Sequence, residues 1–266
     1  MNSLKAYTLF SSSKGNSSYI TYGSTSFLID AGGSLKSISE KIAALGGDVK
    51  KLSGVFISHE HADHTKGLEF LSKKHGIPIY THPKCMDVIG MTAPSAEGFL
   101  VPTEAGDTVY MGDLKVTVYP TPHDSVRSFC YRVESPKGSL GYVTDIGHIS
   151  DSVQDAIFGC DKVLIESNHD IDMLKSGPYP EFLKERILGR RGHLSNGACA
   201  CVAPVLARCG SRSITLAHLS ETNNTPRLAY GAVKEKLEEY GVKLCGECFA
   251  GDVVLKVASP AEITEI

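Results

Sequence analysis

The sequence lacks any apolar run of the length that a membrane-spanning helix needs, so we expect no membrane partner. The short run near its start, Ala6–Phe10, is also too brief for the hydrophobic core of a secretion signal. Tryptophan is absent, and no Pro/Ser-rich linker divides the chain. Positive charge is not in excess either, because the formal net charge is −3, so overall charge does not indicate a nucleic-acid binder.

The eight cysteines are scattered and do not define a disulfide framework or a complete zinc site. Cys199 and Cys201 are two residues apart on a predicted helix, so they point to different faces. Cys245 and Cys248 have CxxC spacing, but no second such pair and no nearby histidine pair accompanies them. We interpret the thiols as reduced and buried, with metal or redox use as the alternative, and predict a cytoplasmic protein.

The 266 residues, of which 42% are hydrophobic and 21% charged, can bury a sizeable core. The predicted strands are 6–10, 19–22, 27–30, 54–58, 77–80, 114–119, 129–133, 140–143, 163–166, 214–217 and 253–257, and a polar loop is predicted over 11–18. The predicted helices are 35–45, 66–75, 152–158, 181–188, 196–209 and 226–240. This pattern predicts one α/β domain over residues 1–266, a sandwich of two mixed sheets with helices outside, built from two similar halves at about 1–120 and 121–266.

Polar side chains follow five of the predicted strands, at the point where each strand ends. These residues are His59, His123, Asp145, His169 and His218. Because α/β folds place ligands at strand ends that meet on one rim, we expect these side chains to lie together.

Candidate metal ligands are most concentrated in the segment 58–64, which reads SHEHADH. His59 and His61 are two residues apart directly after an apolar strand, so both can reach one metal ion. Asp63 and His64 follow one turn later and can reach a second ion. Imidazole and carboxylate are ligands that zinc, iron and manganese accept. A solvated polar loop is the alternative reading of this segment.

This segment resembles the HxHxDH signature of the metallo-β-lactamase superfamily, and His123, Asp145 and His218 follow in the order of that superfamily's later ligands. The resemblance implies a four-layer αββα sandwich that holds two divalent transition-metal ions per chain, zinc, manganese or iron. It implies His59, His61 and His123 on the first metal, Asp63, His64 and His218 on the second, and Asp145 between them. Asp145 could instead cap a helix.

The residue at the bridging position separates branches of the superfamily. Asp145, rather than a cysteine, resembles the phosphodiesterase, thioesterase and nuclease branches, and a bridging carboxylate suits in-line displacement at phosphorus. His193 and Ser195 resemble the His-x-Ser segment of nuclease-like members, including tRNase Z-type enzymes. His193 is a candidate phosphate ligand or general acid, whereas Ser195 could be only a helix N-cap.

Five segments together resemble the narrower YycJ/WalJ family: FSSSKGNS at 10–17, SHEHADHTKG at 58–67, ESNHD at 166–170, GHLSN at 192–196 and HLSETNN at 218–224. The family is similar to single-domain, metal-dependent exonucleases that act 5′→3′ on DNA and are linked to DNA repair. The about seventy residues between Asp145 and His218 leave no room for the β-CASP domain of RNase J-type nucleases.

Candidate substrate-binding residues surround this predicted rim. The basic run that ends at Arg190 and Arg191 could follow a nucleic-acid backbone or could be a solvated face. His169 could order the metal shell or meet the substrate, and Asp170 can cap the helix that follows. The full set of candidates is His169, Ser195, Asn196, Arg190 and Arg191.

We therefore expect metal-assisted hydrolysis of a phosphodiester, with nucleic acid, chiefly DNA, as the partner. Asp63 would orient the attacking water or accept its proton, and His193 would stabilise developing charge or protonate the leaving oxygen. The alternatives are an RNA-processing nuclease, a small phosphodiesterase, a glyoxalase II-like thioesterase, and a metal-stabilised regulatory protein that is not an enzyme.

Overall fold

The computed structural model describes residues 3–244 and 253–266. The CxxC pair Cys245 and Cys248 lies outside these residues. In the part of the chain that is described, no helix combines the length and apolar character needed to cross a membrane.

Fourteen strands are found within the described residues, and they form two sheets of seven. Their bounds are β1 Lys5–Ser12, β2 Gly15–Tyr22, β3 Thr25–Ile29, β4 Val55–Phe56, β5 Ile79–Thr81, β6 Leu100–Pro102, β7 Thr108–Met111, β8 Leu114–Pro120, β9 Phe129–Ser135, β10 Gly138–Val143, β11 Lys162–Glu166, β12 Ser213–Ala217, β13 Val254–Val257 and β14 Thr264–Glu265. The first sheet has the order β14-β1-β2-β3-β4-β5-β6 and the second has the order β13-β12-β11-β10-β9-β8-β7.

Both sheets are mixed, as the sequence predicts. In the first sheet β14, β1, β2 and β3 pair antiparallel, and β3 to β6 pair parallel. In the second sheet β7 to β10 pair antiparallel, and β10 to β13 pair parallel. Each sheet therefore has one antiparallel half and one parallel half.

The helices of the described chain follow the apolar periodicity of the sequence and begin at side-chain caps in several cases. Their bounds are α1 Leu35–Ala44, α2 Ala62–Thr65, α3 Leu68–His75, α4 Pro83–Thr92, α5 Asp151–Ile157, α6 Ile171–Ser176, α7 Glu181–Leu188, α8 Asn196–Arg208 and α9 Pro226–Glu239. Short 3₁₀ turns cover Val49–Lys51 and Pro94–Phe99. Ser34 caps α1 and Asp170 caps α6 through side-chain oxygens that accept backbone N–H groups, which confirms both predicted caps.

Three apolar cores define four layers. One core lies between the two sheets and contains Phe27 from the first and Tyr131 from the second. Neighbouring strand residues turn to the opposite face, so Leu28, next to Phe27 in β3, belongs to a core with α1, α3 and α4. Val163 of β11 belongs to a core with α5, α8 and α9. The arrangement is the αββα sandwich that the resemblance implied.

One local prediction was wrong, and one helix was not predicted. Most of the polar loop predicted over 11–18 is strand, because Ser12 pairs with Gly15 and only two residues turn between β1 and β2. The small polar side chains there are buried against the strand ends rather than solvated, which the composition of a loop does not predict. Helix α4 was not predicted, although His82 accepts the N–H of Lys84 at its start and Pro83 fits its first turn.

Strand ends from both sheets meet at one rim of the sandwich. His59, His123 and His169 each come three residues after the end of a strand, Asp145 comes two residues after β10, and His218 directly follows β12. The chain leaves each strand toward this rim, where the polar side chains are buried together.

Candidate metal centre

The first two histidines of the SHEHADH segment lie directly beyond β4. His59 is fully buried and His61 is partly buried, and His59 Nε2 lies 2.9 Å from His61 Nδ1. On the other side of its ring, His59 Nδ1 lies 3.0 Å from the hydroxyl oxygen of Ser58. Two imidazole nitrogens that face each other this closely define one point where both can bind a cation.

Asp63 and His64 follow in α2. His64 is fully buried, and its Nε2 lies 3.2 Å from Asp63 Oδ2 while its Nδ1 lies 2.8 Å from Asp30 Oδ2. Asp30 also accepts hydrogen bonds from the backbone N–H of Ser58, at 2.8 Å, and from its hydroxyl, at 2.9 Å. Asp30 therefore fixes the orientation of the His64 ring, as carboxylates behind metal-binding histidines do.

Asp145 lies at the centre of the cluster. Its Oδ2 is 3.3 Å from His64 Nε2, and its Oδ1 is 3.3 Å from His218 Nε2 and 3.8 Å from His123 Nε2. A carboxylate that directs its two oxygens toward different imidazoles has the geometry to bridge two cations. Asp145 does not cap a helix, because Ser150 is the N-cap of the helix that follows.

His123 and His218 follow strands of the second sheet, and polar contacts on the Nδ1 side of each ring fix its orientation. His123 Nδ1 lies 3.2 Å from the carbonyl oxygen of Gly192, which leaves Nε2 to face the cluster. The backbone N–H of His218 donates to the hydroxyl of Ser11 at 2.9 Å, and its Nδ1 lies 3.0 Å from Asn16 Oδ1. The hairpin β1–β2 of the first sheet thus positions a histidine of the second.

Asn16 connects the two sides of the cluster. Its amide nitrogen donates to Asp63 Oδ2 at 3.0 Å and lies 3.1 Å from His64 Nε2, while its oxygen faces His218. The side chain is anchored by a further hydrogen bond to the carbonyl oxygen of Ser12 at 3.0 Å. One buried amide therefore orients three predicted metal ligands.

The donor set fits divalent cations. His123 Nε2 and Asp145 Oδ2 are buried and have no hydrogen-bond partner among the described residues, which is uncommon for buried polar atoms. Imidazole nitrogen and carboxylate oxygen are the donors that zinc, manganese and iron share. Among the described residues, four groups have ligand atoms within 4.8 Å of one another: His59, His61 and His123; Asp63, His64 and His218; His59, His64 and Asp145; and Asp145, Glu166, His193 and His218.

Buried carboxylates make the cluster attractive to positive charge. Burial alone would lower the pKa of His64, but the carboxylates, chiefly Asp30 and Asp145, raise that pKa well above its usual range. Burial opposes ionisation of Asp145, yet the imidazoles of His218 and His64 hold its pKa well below the usual value. Burial lowers the pKa of His59 well below its usual value, so that ring is a neutral donor. A metal ion at this point would replace the proton on His64.

The backbone is left-handed at three non-glycine residues of the described chain, and all three belong to the cluster. They are Asp30, with φ 61°, Asp145, with φ 56°, and His218, with φ 55°. This conformation costs an L-residue about 1–2 kcal/mol. Each residue stands at the end of a strand, so the turn directs its side chain into the cluster instead of along the sheet.

A second buried carboxylate lies behind His193. Glu166 is fully buried, and its Oε1 is 2.7 Å from His193 Nδ1, while its Oε2 accepts the backbone N–H groups of Ile146 at 2.8 Å and Leu194 at 3.2 Å. Burial alone would lower the pKa of His193, but the carboxylates around it, chiefly Glu166, raise it to about 9. The ring stacks on His218 with centroids 5.4 Å apart, and 18% of the His193 side chain is exposed. His193 is therefore a cationic imidazole at the open edge of the cluster.

Three residues predicted to bind substrate lie behind His193. His169 is 1% exposed, neither ring nitrogen has a partner among the described residues, and burial lowers its pKa to about 4. The hydroxyl of Ser195 accepts the N–H of Ala198 at 3.2 Å, which confirms the predicted N-cap of α8. Asn196 is 2% exposed and exchanges side-chain hydrogen bonds with Asn224 at 2.9 Å. Ser195 and Asn196 therefore hold loops together, and their side-chain bonds do not reach the cluster.

The two arginines at the end of the basic run are exposed and lie next to the ligand loops. Arg191 Nε donates to the carbonyl oxygen of His123 at 2.9 Å, so it supports a predicted ligand from the surface side. The carbonyl oxygen of Arg190 lies 2.9 Å from His148 Nδ1. This contact places His148, whose role the sequence left open, outside the metal cluster.

The first two residues of the basic run, Lys184 and Arg186, form their polar contacts with other groups of the protein. Lys184 is only 9% exposed, and its ammonium group donates to the carbonyl oxygen of Lys175 at 2.8 Å and to Glu181 at 2.9 Å. Arg186 forms an ion pair with Asp124. Against the effect of burial, this pair holds the pKa of the Asp124 carboxyl below its usual value.

Sequence reasoning missed the residues that orient the predicted ligands. Asp30 ends a short apolar strand, and Glu166 begins the ESNHD segment, but neither was assigned a role. Asn16 was read as part of a polar loop. A carboxylate directly after an apolar strand is the signal that could have identified Asp30, because the same signal identified Asp145.

Comparisons with known proteins agree with this geometry. A family model described as a β-lactamase superfamily domain matches residues 25–219. The chain is 34% identical to the exodeoxyribonuclease YycJ of Bacillus anthracis over 91% of each chain, and 34% identical to the exodeoxyribonuclease WalJ of Streptococcus pneumoniae over 87% of each. Its fold is similar to the crystal structure of the metallo-β-lactamase fold protein YhfI from Bacillus subtilis, with TM-score 0.68, 16% identity and all of both chains covered.

Proposed function

Since the chain belongs to the metallo-β-lactamase superfamily and is related to its YycJ/WalJ members, we propose that it is a dinuclear-metal nuclease that degrades DNA 5′→3′. Membership of this superfamily makes the protein a metal-dependent hydrolase. The observation that carries the proposal is the placement of Asp145 between two groups of ligand atoms, with cationic His193 at the open edge. A role in DNA repair, in the cytoplasm and as a single domain, is part of the same proposal.

Phosphodiester chemistry fits this arrangement better than thioester chemistry. The two curated relatives discussed above are both named exodeoxyribonucleases. Two divalent ions held by His59, His61, His123, Asp63, His64, His218 and Asp145 would lower the pKa of a shared water toward neutrality and polarise a phosphate oxygen. A cationic imidazole beside them adds positive charge where a transferring phosphoryl group becomes more negative.

Two side chains would move the protons. Asp63 is partly exposed, and its carboxylate lies at the entrance, so it can orient the attacking water and accept its proton. Glu166 engages Nδ1 of His193, so the proton for the leaving oxygen would come from Nε2. Glu166 itself would act as a positioning residue, since it is fully buried and its hydrogen bonds go to His193 and to the backbone N–H groups of Ile146 and Leu194.

Metal content tests the ligand assignment. Purified protein is expected to carry about two transition-metal ions per chain, measured by inductively coupled plasma mass spectrometry. His59→Ala should lose bound metal and phosphodiesterase activity. The matched control is His148→Ala, because that histidine is partly exposed and contacts the carbonyl oxygen of Arg190 outside the cluster. Metal-free protein together with an active His59→Ala variant would contradict the assignment.

A substrate panel tests the reaction. The compounds are single-stranded and duplex DNA labelled at either end, RNA, bis-p-nitrophenyl phosphate and S-lactoylglutathione. We expect hydrolysis of DNA with mononucleotides released first from the 5′ end. Faster cleavage of RNA would favour an RNA-processing nuclease. Cleavage of the thioester without any phosphodiester would reverse the choice of reaction.

A further inference from the structure

A cavity of about 340 Å³ adjoins the metal centre on the side of Asp63. Gly15 and Gly32 line it, and both are next to Asn16, since Gly15 precedes Asn16 in the chain and the N–H of Gly32 donates to the Asn16 carbonyl oxygen at 2.7 Å. Lys66, which also lines it, follows His64 by two residues. The lining of this cavity is therefore next to Asn16, which donates to Asp63 and faces His218, and two residues from His64. We call it the Phe10 cavity, after the aromatic ring in its wall.

Glycine makes the wall of the Phe10 cavity thin. A Cβ at Gly32 would lie 1.7 Å from the carbonyl oxygen of Asp63, and a Cβ at Gly15 would lie 2.8 Å from the carbonyl oxygen of Gly32. The three chain segments can approach each other only because these positions have no side chain. A ligand in the cavity would therefore contact Gly32, whose backbone packs directly against the backbone of Asp63.

One side of the Phe10 cavity is apolar and fixed. It is formed by Phe10, Pro260 and Ala261. The ammonium group of Lys41 lies 4.4 Å from the centroid of the Phe10 ring and donates to the carbonyl oxygen of Ala261. These contacts hold the aromatic ring in place, which gives a flat ligand a preformed surface.

The other side of the cavity carries two lysines and one carboxylate. Lys14, Lys66 and Glu221 line it, and Lys66 Nζ donates to the carbonyl oxygen of Lys14 at 2.6 Å. Lys14 forms an ion pair with Glu221, in which 78% of the lysine and 40% of the glutamate side chain are exposed. Exposed ion pairs of this kind contribute little stability, so a phosphate could replace Glu221 as the partner of Lys14.

Resting on the proposed function, we propose that the Phe10 cavity binds one unpaired nucleotide of the substrate strand, next to the phosphate that is cleaved. Its base would lie on Phe10, Pro260 and Ala261, and its phosphate would contact Lys14 and Lys66. The volume lies within the range of small-ligand sites, about 300–1,000 Å³. A base can enter such a cavity only after it leaves the double helix, so the proposal makes a single-stranded end the substrate.

Three exposed positions allow the proposal to be tested without disturbing the core. Ala261→Trp fills the apolar side, and Lys14→Ala with Lys66→Ala removes the charge. Ala105→Trp is the control for added bulk, since Ala105 is exposed and does not line the cavity. The control for lost charge is Lys73→Ala with Lys74→Ala, on the exposed face of α3. Circular dichroism checks the fold of each variant.

Binding is measured with two probes on the protein as purified. Calorimetric titration with 2′-deoxyadenosine 5′-monophosphate should show binding that Ala261→Trp weakens at least about tenfold. With a phosphorothioate-linked single strand, which resists hydrolysis, the double lysine variant should reduce the slope of log affinity against log salt by about 0.7, because both lysines contact one phosphate and one phosphate contact on a single strand contributes about 0.7. Both controls should match the parent protein.

Equal affinities of Ala261→Trp and Ala105→Trp would overturn the proposal, and so would an unchanged salt slope in the double lysine variant. Hydrolysis of bis-p-nitrophenyl phosphate is measured in parallel, because this diester has no nucleotide to bind. Hydrolysis without nucleotide binding would reject the Phe10 cavity alone. Nucleotide binding without hydrolysis of any phosphodiester would reject the proposed function alone.

Discussion

The most informative single substitution is Glu166→Gln, because it keeps the shape of a fully buried side chain and removes its charge. The carboxylates around His193, chiefly Glu166, raise its pKa from 6.5 to about 9 against the effect of burial. The raised pKa means that protonated His193 stabilises the folded state. This contribution is fully present below about pH 6.5 and is lost as the pH rises through about 9.

The size of the effect follows from these two values. At pH 7 the folded protein holds the His193 proton about 2–3 kcal/mol more tightly than the unfolded chain does, and at pH 10 the difference is close to zero. Glu166→Gln should therefore lower the free energy of unfolding by about 2–3 kcal/mol more at pH 7 than at pH 10. The glutamine oxygen can still accept the N–H groups of Ile146 and Leu194, so the fold should survive.

Urea denaturation of the metal-free protein at both pH values measures this difference. Glu185→Gln is the matched control, because Glu185 is exposed on α7 and should change stability equally little at pH 7 and pH 10. A destabilisation of the same size at both pH values would refute the electrostatic account of the Glu166–His193 pair. At pH 10, Glu166→Ala should lower the free energy of unfolding more than Glu166→Gln does, because alanine leaves two buried N–H groups without an acceptor.

Three further predictions follow from the surroundings of the cluster. Asp30→Asn should weaken metal affinity about 10–100-fold in a chelator competition, because it removes the charge that orients His64, and unchanged affinity would contradict that role. Gly32→Ala should destabilise the protein by about 3 kcal/mol in thermal unfolding. Gly90→Ala is the control, because a Cβ there meets nothing within 4 Å, and it should not destabilise the protein. Equal effects of the two substitutions would disprove the close packing of Gly32 against Asp63. Arg191→Ala should reduce activity through a looser His123 without changing the binding of a labelled single strand, and a loss of binding alone would make Arg191 a direct substrate contact.

The sequence predicted the residues of the cluster better than it predicted their support. His59, His123, Asp145 and His218 could be found because each follows an apolar stretch, and strand ends are where a sheet delivers side chains to one rim. The layers could be predicted for a similar reason, since apolar residues repeat with the periods of strands and helices.

The residues behind the ligands could not be found in this way. Glu166 acts on His193 across 27 positions, and Asn16 acts on His218 across 202. Such pairs depend on how two sheets pack, which local periodicity does not encode. The hairpin over residues 11–18 was misread for the same reason, because its serines and Asn16 are buried by contacts with distant parts of the chain.

The contact between Ser11 and His218 has a consequence for the order of folding. It joins residues 207 positions apart, so it requires the closure of nearly the whole chain into one loop, and such contacts form late. The hairpin that carries Ser11 can pair early, but His218 reaches its position only after the second sheet has assembled against the first. During refolding, tight metal uptake should therefore lag behind the recovery of secondary structure. This metal-dependent hydrolase would then acquire its reactive centre as one of the last events of folding.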